Sequence, residues 1–238
     1  MEKLLLSEIA HCLNAECPEE KVITEISTDT RNLPAGCLFI AIKGERFDGH
    51  AFIKQAIENG AAAAVSEYPV DGCPCIVVKN TRTALLKLAK YYRSKFNPVL
   101  VGITGSVGKT TTKEMIALVL SEKYKTLKTQ GNLNNEIGLP KTLFNLDSSY
   151  QAAVIEMGMS DFGEIERLSN TAVPTIGVIT NIGFSHIENL KSQEGILKAK
   201  LEILSGMKSD APLIVNGDDR YLAPLKLELK SSRSVYLY

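Results

Sequence analysis

The stretch Val99–Met115 constrains the fold of this chain more than any other part of the sequence. It reads Val-Leu-Val-Gly-Ile-Thr-Gly-Ser-Val-Gly-Lys-Thr-Thr-Thr-Lys-Glu-Met. Five largely apolar, β-favouring residues lead into a glycine-bearing turn, and the residues after the turn have helical periodicity. A strand, such a turn and a helix in this order form the setting of a phosphate-binding loop. The sequence therefore predicts an α/β domain that binds a nucleotide.

This loop departs from the strict nucleotide-binding pattern, because Ile103 stands where the first glycine belongs. Its remaining glycines can still bring backbone N–H groups close to phosphate oxygens at a helix N-terminus. We expect Lys109 to hold the β- and γ-phosphates and the Thr110 hydroxyl to bind magnesium. The alternative is a glycine-rich link without a ligand, although Gly-Lys-Thr in this setting has few other uses. The predicted phosphate site comprises Gly105, Ser106, Val107, Gly108, Lys109, Thr110 and Thr111.

The balance of charged residues gives no reason to expect binding to nucleic acid or to an anionic membrane through net charge. Lysine plus arginine equals aspartate plus glutamate at 27 each, so nothing favours nucleic acid or an anionic membrane. No apolar run approaches the roughly 20 residues that span a bilayer, and the start of the chain lacks the layout of a secretory signal. We expect a cytoplasmic monomer with no nucleic-acid partner and no membrane insertion.

Residues 1–97 are predicted to form a small mixed α/β domain that ends near Asn97-Pro98. The predicted elements are a helix over residues 1–20 that ends at Pro18, strands over Val22–Arg31 and Cys37–Lys43, a helix over Ala51–Asn59, strands over Ala61–Ser66 and Cys75–Val78, and a helix over Thr81–Lys95.

Residues 98–238 are predicted to form a second domain in which strands alternate with helices. Such alternation indicates a doubly wound, mostly parallel sheet of the P-loop ATPase type, with its ligands beyond the carboxyl ends of the strands. The predicted elements are a strand over Val99–Ile103, a helix over Thr110–Lys123, strands over Ala152–Ile155 and Thr175–Thr180, a helix over Gln193–Met207 and a strand over Leu213–Val215.

Polar residues stand at the predicted strand ends beside the phosphate loop. A buried, unpaired Glu156 would cost several kcal/mol, and a magnesium ion would remove that cost; a surface glutamate is an equally good interpretation of this residue alone. Asn181 is expected to belong to the nucleotide site. His186 could be a satisfied loop histidine, but its place at the same sheet edge favours a metal or phosphate role.

Two further groups stay ambiguous on the residues alone. Lys198 and Lys200 lie two apart on a predicted helix and so face different sides, but the spacing does not tell which one points inward, and both could be solvated. In the first domain, Thr30 and Arg31 offer a hydroxyl and a guanidinium suited to a second phosphate group. From those residues alone, a local ion pair at the end of an edge strand is a better interpretation than a phosphate-binding role.

Taken together, these residues resemble the Mur ligase family of cell-wall synthesis. The resemblance covers nearly the whole chain and rests on Asp29-Thr30-Arg31, Gly44–His50, the phosphate loop, Gly131–Asn135, Glu156-Met157-Gly158, Asn181–His186 and Ala199–Ile203. It implies an ATP-dependent ligase of peptidoglycan synthesis that adds D-alanyl-D-alanine to UDP-N-acetylmuramoyl-tripeptide through an acyl phosphate. The alternatives are the related tripeptide-forming ligase, a nucleotide- or UDP-sugar-binding module without chemistry, and a phosphate-loop kinase, which would leave the Asp-Thr-Arg domain unexplained.

The resemblance also implies roles for individual residues. ATP and Mg²⁺ would be held by Lys109 and Thr110, with Glu156 and His186 as further magnesium ligands. Lys200 matches the lysine that the family carbamylates, so Lys109, His186 and Lys200 form the implied catalytic set. The uridine nucleotide would be held by Thr30, Arg31, Lys43, Asp48 and His50, and the precursor would lie near Asn132 and Asn135.

The family has three domains, whereas this sequence reaches Tyr238. We therefore expect a central domain that is incomplete at its carboxyl end and no third domain, which in the family supplies much of the D-alanyl-D-alanine site and part of the adenosine pocket. On that expectation the chain alone is inactive or weakly active.

Overall fold

A computed structural model describes residues 1–44 and 47–238. These residues divide into two compact units, Met1–Tyr92 and Arg93–Tyr238. Both units combine helices with parallel strands, which confirms the predicted α/β class. No helix in the described ranges has the length and apolar character needed to cross a bilayer.

The first unit contains a four-stranded parallel sheet in the order β3-β4-β5-β6 and a separate antiparallel pair, β1-β2. Its apolar core packs around Phe39 and Ile53. Its elements are β1 (Leu4–Leu5), α1 (Leu6–Leu13), β2 (Val22–Ile23), β3 (Ile26–Ser27), β4 (Leu38–Ile40), a 3₁₀ helix (Gly49–Phe52), α2 (Ile53–Glu58), β5 (Ala63–Ser66), β6 (Cys75–Val77) and α3 (Thr81–Ser94).

The prediction of one helix over residues 1–20 is wrong in its extent. Leu4 and Leu5 pair with β2, and the helix ends where Asn14 adopts a left-handed conformation with φ 57°. The single strand predicted over Val22–Arg31 is also wrong. It is divided between β2 and β3, which join different sheets, and apolar patterning along one segment does not identify a segment's partner.

The second unit is built on a six-stranded sheet in the order β12-β11-β10-β7-β9-β8, with parallel pairing throughout. Its elements are β7 (Val99–Thr104), α4 (Lys109–Ser121), β8 (Thr126–Lys128), α5 (Gly138–Leu143), β9 (Ala152–Glu156), α6 (Glu164–Ala172), β10 (Ile176–Ile179), α7 (Ile187–Leu190), α8 (Gln193–Leu201), a 3₁₀ helix (Glu202–Gly206), β11 (Leu213–Val215), α9 (Leu225–Glu228) and β12 (Val235–Leu237).

The helix predicted over Gln193–Met207 is wrong beyond Leu201, where α-helix gives way to a 3₁₀ helix. Gly206 lies so close to α6 that a Cβ atom there would be 2.0 Å from the Ser169 carbonyl oxygen. The Glu202 carboxylate accepts the Gly163 N–H group at 2.8 Å, just before α6. Contacts with α6 therefore hold this segment in its tighter form.

The order of the parallel strands decides where the functional residues meet. Strand β7 lies between β10 and β9, and β8 lies beyond β9. Because the carboxyl ends of parallel strands meet at one sheet edge, the loops that follow β7, β8, β9 and β10 converge there. These strand ends, the loops after them and the first turn of α4 carry all the residues that the sequence assigns to the nucleotide and magnesium sites, except Lys200 on α8.

Candidate phosphate-binding site

The phosphate loop begins at the end of β7 and requires glycine at two positions. Gly105 has φ 151°, and a Cβ atom on it would lie 1.9 Å from the Thr180 hydroxyl oxygen. Gly108 precedes α4 with φ 81°, in the left-handed region that other residues rarely adopt. This backbone presents the first turn of α4, whose N–H groups have no partner inside the helix, toward the sheet edge.

Lys109 is folded over the loop that precedes it. Its Nζ atom donates to the carbonyl oxygens of Gly105 at 2.8 Å and Ser106 at 3.4 Å. Burial lowers the pKa of Lys109, and the Glu156 carboxylate opposes that shift. The ammonium group is thus held over the loop by two carbonyl oxygens that phosphate oxygens could replace.

The loop after β10 fixes the first half of the phosphate loop. The Asn181 carbonyl oxygen accepts the Ser106 N–H group at 3.1 Å, and the Asn181 Oδ1 atom accepts the Val107 N–H group at 2.9 Å. The Ser106 Oγ atom accepts the Gly183 N–H group at 2.9 Å. Asn181 therefore occupies two backbone donors of the phosphate loop. The first turn of α4, which includes Thr110 and Thr111, presents further N–H groups that have no partner inside the helix.

Glu156 is buried, with 2% of its surface exposed, at the carboxyl end of β9. Its Oε2 atom accepts the Thr110 hydroxyl at 3.0 Å, and its Oε1 atom accepts the Asn134 side-chain amide at 2.8 Å. Within the described residues Glu156 has no ion pair. The carboxylate thus lies directly beside the phosphate loop, where it accepts from two neutral donors and interacts electrostatically with the Lys109 ammonium group.

This arrangement fits a magnesium ion by its donor chemistry. A hydroxyl and a carboxylate are the hard oxygen ligands that Mg²⁺ prefers, and Mg²⁺ in nucleotide sites takes its other ligands from phosphates and water. Across residues 1–44 and 47–238, no group of three or more His, Cys, Asp and Glu side chains is placed to hold a metal. Thr110 and Glu156 would therefore bind the ion together with the nucleotide.

Two residues that were not predicted from the sequence hold the backbone of Glu156 in place through a pair of hydrogen bonds. The Thr129 hydroxyl accepts the Glu156 N–H group at 2.9 Å, and the buried Lys113 donates to the Thr129 carbonyl oxygen at 2.8 Å. Asn134 was also missed, although its neighbours Asn132 and Asn135 were assigned. The exposed Asn135 accepts the N–H groups of Ile137 and Gly138, at the start of α5, through its side-chain oxygen.

His186 and Lys200 differ in their surroundings. His186 is exposed, has φ 64° and immediately precedes α7. Lys200 has 2% of its surface exposed, whereas Lys198 is exposed and lies over the Phe162 ring, 5.9 Å from its centroid. Burial lowers the pKa of Lys200 to about 7, and the neighbouring Lys109 ammonium adds to this shift. The inward-facing lysine of α8 is therefore Lys200.

In the first unit, the predicted substrate residues follow two adjacent parallel strands. Thr30 and Arg31 follow β3, and the exposed Arg31 pairs with Asp29 at 2.6 Å. Lys43 follows β4, and its carbonyl oxygen accepts hydrogen bonds from Arg82, a residue that the sequence analysis missed. Glu45 and Arg46, in the middle of the predicted loop, lie outside the described residues.

The side chain of His50 is engaged inside the first unit. Its Nδ1 atom lies 2.6 Å from the Asp48 carboxylate, and its Nε2 atom accepts the Glu67 N–H group at 3.0 Å. The residue is 5% exposed, and its ring stacks on Tyr68 with centroids 4.9 Å apart. His50 and Asp48 therefore shape the loop after β4 through bonds to each other.

Two family profiles match the sequence. Residues 103–238 match a profile described as the Mur ligase middle domain, and residues 22–93 match one described as the Mur ligase family, catalytic domain.

Individual relatives agree with these profiles. The UDP-N-acetylmuramoyl-tripeptide–D-alanyl-D-alanine ligase of Bacillus subtilis is 50% identical over 208 residues, which are 86% of this chain and 46% of that protein. A crystal structure of MurF from Acinetobacter baumannii has a TM-score of 0.92 at 35% identity and covers 99% of this chain and 53% of its own. MurF from Thermotoga maritima in complex with ADP has a TM-score of 0.82 at 35% identity, covering 89% and 49%. The chain thus spans about half the length of the curated relatives it matches.

Proposed function

The chain belongs to the Mur ligase family, and from that premise we propose that it provides the ATP-binding and UDP-precursor-binding parts of a ligase. The proposed reaction adds D-alanyl-D-alanine to UDP-N-acetylmuramoyl-tripeptide with ATP. The relatives that carry this activity in their names support the proposal. The observation that carries it is the buried Glu156 carboxylate beside Thr110 and the phosphate loop.

In the proposed nucleotide site, Lys109 and the N–H groups at the start of α4 bind the phosphates. Thr110 and Glu156 hold Mg²⁺, which when bound neutralises phosphate charge. Asn181 keeps the phosphate loop in its binding conformation through the two bonds described above. His186 is proposed as a further ligand, and its exposed position at the same sheet edge leaves it accessible.

In the proposed precursor site, the uridine nucleotide binds at the ends of β3 and β4. Arg31 offers an exposed guanidinium beside Thr30, and Lys43 offers an exposed ammonium group. Asp48 and His50 set the shape of the loop that carries Lys43. Asn132 and Asn135, in the loop after β8, are proposed to lie near the peptide end of the precursor.

The proposed chemistry proceeds in two steps. The terminal carboxylate of the precursor attacks the γ-phosphorus, so that the phosphoryl group is transferred to carboxylate oxygen and ADP leaves. The amine of D-alanyl-D-alanine then attacks the acyl carbon, the bond from that carbon to the phosphate oxygen breaks, and the nitrogen releases one proton to phosphate or water as the amide bond forms. Negative charge gathers on oxygens in both steps, and Lys109 is placed to stabilise it.

Carbamylation of Lys200 belongs to the same proposal. A pKa of about 7 leaves much of this amine neutral at neutral pH, and a neutral amine can attack carbon dioxide. The nitrogen–carbon bond forms as one C=O π bond becomes C–O⁻, and a proton leaves the nitrogen. The resulting anion would replace a repulsion with Lys109 by an attraction. A carbonyl signal from ¹³CO₂ should appear in wild-type protein and in Lys198→Met, and should be missing in Lys200→Met.

The enzymatic proposal is tested in a chain extended to the length of the relatives. Phosphate release should require ATP, UDP-N-acetylmuramoyl-tripeptide and D-alanyl-D-alanine together. Lys109→Ala should remove it, since a cation lost from a closed phosphate site costs a few kcal/mol of transition-state stabilisation. Lys123→Ala, an exposed lysine just after α4, is the matched control and should leave the rate unchanged. Full turnover in Lys109→Ala would refute the assignment.

A second candidate is a binding module without chemistry. The phosphate loop and the basic residues at the ends of β3 and β4 are sufficient for it. It predicts that the extended chain binds ADP and the UDP-precursor but releases no phosphate when all three substrates are present.

A further inference from the structure

The loop after β11 carries a carboxylate that takes no part in the site described above. Asp219 accepts the Ile182 N–H group through its Oδ2 atom at 2.7 Å. Its Oδ1 atom accepts the N–H groups of Tyr221 at 2.9 Å and Leu222 at 3.3 Å. One carboxylate therefore ties the loop after β11 to the loop after β10.

Ile182 lies between the two residues that hold the phosphate loop. Asn181 accepts the N–H groups of Ser106 and Val107, and Gly183 donates to the Ser106 hydroxyl. The bond from Ile182 to Asp219 thus anchors the three-residue segment 181–183 to the loop after β11. A hydrogen bond to a charged acceptor is about twice as strong as a neutral one. We therefore expect the bond from Ile182 to Asp219 to be stronger than the neutral bonds that join residues 181–183 to the phosphate loop.

We propose that Asp219 is a positioning residue for the phosphate loop and acts through residues 181–183. It touches no phosphate; its effect is to keep Asn181 in place, so that the loop backbone is already arranged when a nucleotide arrives. Pre-arranged donors bind more tightly because little conformational freedom is lost on binding. This inference rests on the proposed function insofar as the loop's ligand is a nucleotide phosphate.

The chain supplies a matched control beside Asp219. Asp218 is the preceding residue, carries the same charge and is exposed, and its side chain makes no hydrogen bond within the described residues. Its backbone N–H group donates to the Asn216 side chain, a contact that a side-chain substitution preserves. Asp218→Asn and Asp219→Asn therefore make the same charge change, but only the second alters the anchor.

The first measurement is hydrogen exchange, which needs no ligand. Asp219→Asn places an amide where a carboxylate accepted three N–H groups, so amide protons in residues 104–110 and 181–183 should exchange several-fold faster. Asp218→Asn should exchange at the wild-type rate. Unchanged exchange in both segments of Asp219→Asn would overturn the proposal whether or not the chain binds a nucleotide.

The second measurement compares ADP with AMP as probes, by calorimetry in the presence of Mg²⁺. Asp219→Asn should weaken ADP binding about tenfold, by loss of a charge-assisted bond, and AMP binding far less. An equal loss for both nucleotides, or normal ADP binding, would overturn the proposal. If wild-type protein binds neither nucleotide while exchange behaves as expected, the proposed function fails and Asp219 remains the anchor of the loop.

Discussion

The burial of Lys200 predicts a pH-dependent stability that an exposed lysine would not produce. Its pKa falls from the ordinary 10.5 to about 7, first through burial and second through the Lys109 ammonium. Between these two values the unfolded chain keeps the proton and the folded chain releases it. The free energy of unfolding contributed by this residue therefore rises as the pH increases through that window. Below it, both states are protonated and the full cost of the buried charge is present.

The magnitude follows from the size of the shift. A proton held only by the unfolded chain changes the stability by about 1.4 kcal/mol per pH unit. Near pH 7 the folded amine is itself half protonated, so raising the pH from about 7 to about 9 should stabilise the wild type by about 2 kcal/mol relative to Lys200→Met. Because Lys200 is only 2% exposed, little of this effect is screened by solvent.

The assay is urea unfolding followed by circular dichroism, in buffers depleted of carbon dioxide so that the amine stays free. Lys198→Met is the control, because that lysine lies on the same helix and is exposed. Its stability should follow the wild-type pH dependence, whereas that of Lys200→Met should not. Parallel curves for Lys200→Met and wild type between pH 7 and 9 would refute the argument that burial holds this amine near neutrality.

Three other substitutions test separate parts of the structure. Gly105→Ala should weaken ADP binding at least tenfold by calorimetry, because the new Cβ atom would lie 1.9 Å from a threonine oxygen; unchanged affinity would show that the loop can adjust. Asn134→Ala should raise the Mg²⁺ concentration required for ADP binding several-fold, since Glu156 loses its amide donor, whereas Asn145→Ala, at an exposed site, should not. Arg93→Met should lower the stability by about 3 kcal/mol, because three carbonyl oxygens lose a buried donor; an unchanged melting temperature would contradict this.

The local pattern of the sequence was sufficient for the strands at the centre of each sheet. Strand β7 and the helix after it fall within a residue or two of the prediction, because a run of β-favouring residues and a glycine turn encode them locally. Helix α6 and strand β8, which lie elsewhere in the second unit, were not predicted. Helix α6 and strand β8 are stabilised by contacts with distant segments, and those contacts leave no periodic signal of their own.

In the candidate site, too, contacts between distant segments could not be predicted from the local sequence. Residue type and position at a strand end pointed to Glu156, because a carboxylate after an apolar strand is conspicuous. Nothing local distinguished Lys200 from Lys198, and only the packing of α8 shows which is buried. Asn134 and Asp219 were missed because their importance lies in hydrogen bonds to loops that are distant in the sequence.

The most direct test of the account is a crystal structure of the extended chain with a non-hydrolysable ATP analogue, Mg²⁺ and UDP-N-acetylmuramoyl-tripeptide. Phosphate oxygens should lie on Lys109 and the first turn of α4, and magnesium should be bound by Thr110 and Glu156. The uridine nucleotide should lie beside Arg31, at the ends of β3 and β4. Triphosphate bound away from the loop after β7, or magnesium without Glu156 among its ligands, would contradict the account.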